Sequence, residues 1–105
     1  MYKILMKFFI PEEKISENII NLGRKIGYFL IGRGKDEAEL SFVRALKGMD
    51  YPRFHLLVRK DKGKNVLFNL HLDQKKPSYG KYSAHSAEYD GPLIENEVDR
   101  IKSFF

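Results

Sequence analysis

Residues 71–91, HLDQKKPSYGKYSAHSAEYDG, contain two of the chain's three histidines, with three tyrosines, three lysines and three carboxylates. Little of the stretch is apolar, so most of its side chains have no role in a core. Imidazole is the side chain that exchanges a proton near neutral pH, and it is the commonest protein ligand of transition metals. His55, His71, His85 and Asp73 make a nitrogen–oxygen donor set that suits zinc, manganese or iron. A divalent metal held there would lower the pKa of a bound water for hydrolysis. The competing use is plainer: His55 and His71 hydrogen-bond each other or tyrosine hydroxyls beneath the 74–91 segment. The spacing matches no strong metal motif, since HSAEYD is not HExxH.

A second pattern is LDQK at 72–75, in which Asp73 and Lys75 echo the acid-x-lysine element of metal-dependent nucleases. Such sites need further acids from a neighbouring strand, and Asp61 stands at a hairpin tip, so pairing of Asp73 with Arg53 is the simpler use. A third pattern interleaves bases with rings. Arg59, Lys60, Lys62 and Lys64 crowd around Asp61, and Lys75, Lys76, Tyr79, Lys81 and Tyr82 follow downstream. Lysines grip phosphates and tyrosine rings stack on unpaired bases, which suits single-stranded nucleic acid. GRGKDE is too short and too poor in glycine for a Walker or Rossmann loop, and Ser41, Ser78, Ser83 and Ser86 lack a nucleophile-elbow context.

These residues need elements to position them. Tyr2, Ile4, Met6, Phe8 and Ile10 alternate with polar residues and predict a strand over 2–10. Pro11, Glu12 and Glu13 start a helix predicted over 12–26, with Ile15, Ile19, Leu22 and Ile26 at helical spacing and Gly27 closing it. YFLI at 28–31 reads as a short buried strand and GRGK as a turn. Residues 36–47 fit either period; the reading taken is a strand over 39–46, with a third helix as the alternative. PRFHLLVRK and NVLFNLHLD flank DKGK as a hairpin. Matching Phe54, Leu56 and Val58 with Val66, Phe68, Leu70 and Leu72 on one face sets the register parity. Gly63 at the loop centre then puts His55 across from His71, Arg53 across from Asp73, Leu57 across from Asn69 and Arg59 across from Leu67. Pro92 opens a last helix over 93–104, with Ile94, Val98, Ile101 and Phe105 as its buried stripe.

A chain of 105 residues is one domain, residues 1–105, with 43% apolar and 31% charged residues. No apolar run approaches the roughly 20 residues that span a bilayer, and MYKILMKFFIPEEK reads as a strand instead of a signal peptide. Zero cysteines exclude disulfides and thiolate chemistry and agree with a reducing cytoplasm. A formal charge of +5 attracts nucleic acid, anionic membranes or phosphorylated small molecules.

The segments SFVR, YPRFH, FNLHLDQK and HSAEYDG, from Ser41 to Gly91, resemble an uncharacterised family of small prokaryotic proteins. No activity comes with that resemblance. It implies that a face carrying Arg44, Arg53, His55, His71, Asp73, His85 and Glu88 is characteristic of the group, and it favours a strand at 39–46.

The expected fold is α+β: a mostly antiparallel sheet of four or five strands with two, at most three, helices packed on one face. The other face, beneath residues 74–91, carries the candidate ligand-binding residues Arg44, Arg53, His55, Asn69, His71, Asp73, Lys75, Tyr79, Tyr82, His85 and Glu88. The leading function is binding of nucleic acid or another phosphate-bearing ligand in the cytoplasm. The alternatives are a metal-dependent hydrolase of nuclease type and a structural subunit of a larger complex. Glu88 is expected to bond Arg44 or Arg53, with His85 turned inward.

Overall fold

The computed structural model describes residues 5–34, 38–46, 51–73 and 91–105. Among them five strands form one antiparallel sheet: β1 (Leu5–Pro11), β2 (Phe29–Arg33), β3 (Leu40–Ala45), β4 (Arg53–Asp61) and β5 (Asn65–Asp73). Two α-helices, α1 (Ile19–Lys25) and α2 (Gly91–Lys102), pack on its inner face. The α+β expectation holds. The strand order is β1-β5-β4-β3-β2, so β2 to β5 run as a meander and β1 closes the far edge beside β5. The α1 segment carries the chain from one edge to the other across the inner face.

The hairpin has the register that its apolar alternation requires. Arg53 pairs with Asp73, His55 with His71, Leu57 with Asn69 and Arg59 with Leu67. Gly63 sits at positive φ in the turn, and Lys64 follows it at φ 67°. Phe54, Leu56, Val58, Val66, Phe68, Leu70 and Leu72 all point inward and are buried. Phe8 of β1 stacks on Phe68 with ring centroids 5.2 Å apart. Ile94, Val98 and Ile101 of α2 complete the core, and Phe105 meets Phe68 edge-on at 5.9 Å.

Residues 39–46 are a strand, as the resemblance favoured, and β3 lies between β2 and β4. Two expectations change. The helix expected over 12–26 is a 3₁₀ turn at Glu12–Lys14, an extended Ile15 and then α1. Pro11 still pairs with Asn65 as the last residue of β1, and the Glu12 N–H donates to the Lys64 carbonyl at 2.9 Å. The chain therefore leaves the sheet at Pro11, and α1 begins only after Asn18, whose side chain caps it by accepting from the Asn21 N–H at 2.9 Å.

YFLI is not a buried strand. Tyr28 is buried, but Phe29, Leu30 and Ile31 are exposed, because β2 is an edge strand with a register shift between Leu30 and Gly32. Glu97 of α2 is charged, yet it does not face solvent. It is buried on the inner face, where it accepts from the Tyr28 hydroxyl at 2.6 Å and from both Arg100 Nε and Arg100 Nη2 at 2.9 Å.

Candidate functional site

The outer face follows from strand alternation. Since His55, Leu57 and Arg59 alternate with the inward Phe54, Leu56 and Val58, their cross-strand partners share their face. One row across the sheet reads Phe29, Val43, His55, His71 and Leu5, and the next reads Gly32, Ser41, Leu57, Asn69 and Lys7. Arg53 and Asp73 lie on the far side of the histidine row.

His55 is the hub. Its Nε2 is 2.7 Å from Ser41 Oγ, and its Nδ1 is 3.7 Å from Asp73 Oδ2. A carboxylate beside Nδ1 favours a proton there, which leaves Nε2 to accept from the Ser41 hydroxyl. The same Asp73 oxygen accepts from Arg53 Nε at 3.4 Å, as the sequence pairing expected. The Arg53 guanidinium in turn lies 4.7 Å from the centroid of the Tyr51 ring, a cation–π contact that helps hold it in place.

The His55 and His71 rings are 5.8 Å apart and tilted by 38°. Burial, and then the neighbouring His55, hold the His71 pKa below its ordinary 6.5, against the opposing pull of Asp73 and Glu39. His71 is therefore neutral at pH 7. Its Nε2 and the Asn69 Oδ1 are buried and lack a protein hydrogen-bond partner among the described residues. Both residues line an open bay of about 460 Å³, together with Glu39, Ser41, His55 and Leu57. Two orphaned polar atoms in one bay are costly unless a ligand or water meets them.

Arg53, His55, Asn69, His71 and Asp73 thus share one face, as expected, but Arg44 does not. The register pairs Ala45, not Arg44, with Arg53, and it sets Arg44 opposite the buried Phe54. Arg44 therefore belongs to the inner face, where its Nη1 donates to Glu97 Oε1 at 3.3 Å. Lys75, Tyr79, Tyr82, His85 and Glu88 lie outside the described residues, and the expected Glu88–arginine bond and inward His85 lie there with them. Among the described residues no three histidine, aspartate or glutamate side chains are placed to hold a metal ion. His55 directs its nitrogens to Ser41 and Asp73, so the described donors do not converge.

Ser41, Glu39 and Tyr51 escaped the sequence reading as site residues. Ser41 reaches His55 along a sheet diagonal, and nothing local in the chain reveals the β3–β4 register that creates it. Compared with known families, curated proteins and solved structures, the chain matches none, so the site is read from its own geometry. Among the described residues no helix is long and apolar enough to cross a membrane.

Proposed function

We propose that the outer sheet face binds single-stranded nucleic acid, as a small basic cytoplasmic protein would. The observation that supports this is the placement of exposed aromatic rings at both edges of a face that carries Lys7, Arg53 and Arg59. Phe29 of β2 is 71% exposed and Phe9 of β1 is 53% exposed, although each is a residue type that folding normally buries. Strands about 4.8 Å apart put the two edges roughly 19 Å from one another, a span across which a short single strand can lie. Lys7, Arg53 and Arg59 of the same face would meet phosphates. The rings would stack on bases, and Ser41, Asn69 and the histidine pair would meet base edges in the bay. A metal-dependent nuclease is the weaker reading, because the described histidines and Asp73 do not form a ligand set.

The test is fluorescence anisotropy with a labelled single-stranded oligonucleotide across a salt series. Affinity should fall linearly on a log–log plot, and Lys7→Gln should reduce the slope by about 1. Phe29→Ala should weaken binding by about 1–3 kcal/mol without changing thermal stability appreciably, because the ring is largely exposed. Absence of binding at low salt would remove this reading.

A further inference from the structure

We propose that Ser41 is a nucleophile, with His55 as its base and Asp73 as the positioning carboxylate, for the hydrolysis of small acyl esters held in the bay. The inference does not depend on the nucleic-acid reading; it needs only the geometry of three adjacent strands.

Val43 lies directly across from His55, and His55 directly across from His71. Ser41 lies two residues before Val43 in β3 and Asp73 two residues after His71 in β5, so both stand one diagonal step from His55, on opposite sides. The three side chains form a line across β3, β4 and β5 in the order hydroxyl, imidazole, carboxylate. Their separations are 2.7 Å from Ser41 Oγ to Nε2 and 3.7 Å from Nδ1 to Asp73 Oδ2. Each backbone is fixed by pairing: Ser41 is matched by Gly32 on one side and Leu57 on the other. The order and the hydroxyl–imidazole contact are those a serine nucleophile requires, and the longer second contact is the kind that closes when substrate arrives.

Ordinary serine hydroxyls are inert because their proton is not lost near neutral pH; a neighbouring imidazole removes that barrier. Ser41 also lines the bay, with two polar atoms that have no protein partner among the described residues, Asn69 Oδ1 and His71 Nε2. The bay's volume is about 460 Å³, within the range of small-ligand sites. A neutral His71 in the tautomer protonated at Nε2 can donate to an ester carbonyl oxygen as negative charge grows on it.

The reaction then balances in two halves. Ser41 Oγ bonds to the carbonyl carbon while its proton passes to His55 Nε2. The carbon–oxygen bond to the alcohol breaks, and the alcohol leaves with that proton. Water next attacks the acyl-serine, giving its proton to Nε2. The bond to Ser41 Oγ breaks, the serine recovers the proton, and a carboxylic acid departs. Asp73 faces Nδ1 throughout and favours the imidazolium formed in each half. No oxidant, reductant or further reactant is required.

The experiment treats the full chain with a fluorophosphonate, which phosphonylates an activated serine with loss of fluoride, and maps the modified residue by mass spectrometry. Ser41 should carry the label, and hydrolysis of p-nitrophenyl acetate should fall at least tenfold in Ser41→Ala. His55→Gln should slow labelling by about 100-fold or more. Asp73→Asn should also slow it and should alter its pH profile, which a purely structural aspartate would leave unchanged; this variant carries the test if His55→Gln fails to fold. A wild-type chain left unlabelled at Ser41, or labelling equally fast in the folded His55→Gln or Asp73→Asn variant, overturns the proposal.

Discussion

His71 stands among groups that make its protonation costly in the folded chain. Burial and His55 oppose the charged form more than Asp73 and Glu39 favour it, so the folded pKa lies below 6.5. Below 6.5 the unfolded chain therefore binds a proton that the folded chain refuses. Stability from this group is complete above 6.5 and is lost as the pH falls from there towards the depressed folded value. Urea midpoints of the wild type should drop between pH 7 and pH 5 by more than those of His71→Gln. Equal drops in the two proteins would show that His71 is not the group responsible. Neither His71's burial nor its orphaned nitrogen was legible from its neighbours in the chain. The alternation of NLHLD places it on a face, but the walls of the bay come from β3, β4 and β5 together.

At the scale of elements, α1 crosses the sheet closely because Gly23 faces Phe42. A Cβ added at Gly23 would lie 2.6 Å from Phe42 Cδ2 and 2.9 Å from Cζ, far inside van der Waals contact. Helix propensity alone would favour alanine there by about 1 kcal/mol. The Phe42 ring is buried in the core, so overpacking is expected to outweigh propensity. Gly23→Ala should cost roughly 1–3 kcal/mol in chemical denaturation, and Phe42→Leu should recover part of that loss in the double variant. A neutral or stabilising Gly23→Ala would mean that α1 stands further from β3. The apolar stripe of Leu22 and Ile26 was readable in the sequence, and both are buried. The start of α1 was misread because Pro11, Glu12 and Glu13 also suit a helix N-terminus. What decided against it was pairing of Pro11 with Asn65, a residue distant in sequence.

For the molecule as a whole, Glu97 joins four elements. Its carboxylate accepts from Tyr28 beside β2, from Arg44 of β3 and from Arg100 of its own helix. Arg100 Nη2 also donates to the Ile26 carbonyl at 2.6 Å, at the end of α1. Burial and then the adjacent Glu97 charge push the Tyr28 hydroxyl far above its ordinary value, so it remains a donor at any working pH. Glu97→Ala would strand a buried hydroxyl and two guanidinium groups. Breaking such a pair costs about 3–5 kcal/mol when both partners are buried. Arg44 and Arg100 each keep a third of their side-chain surface in water, so about 2–3 kcal/mol is expected here. Denaturation of Glu97→Ala alongside Tyr28→Phe would measure it, the second costing about 1 kcal/mol. A loss under 0.5 kcal/mol in Glu97→Ala would show that α2 is held by its apolar stripe alone.

The sequence by itself determined the hairpin of β4 and β5, its register and its two faces. A period-2 pattern joined by a short glycine turn leaves one way to bury the apolar side without slipping histidine into the core. It also determined the stripes of α1 and α2, since both record which side must leave water. Tertiary structure alone decided which polar residues meet. Arg44 and Glu97 look like surface charges in the chain, yet the alternation of β3 and the docking of α2 turn both to the inner face. Ser41 looks like an ordinary strand serine until β3 is paired with β4 and brings its hydroxyl to His55. Those pairings depend on contacts between residues far apart in sequence, so local periodicity carries no record of them.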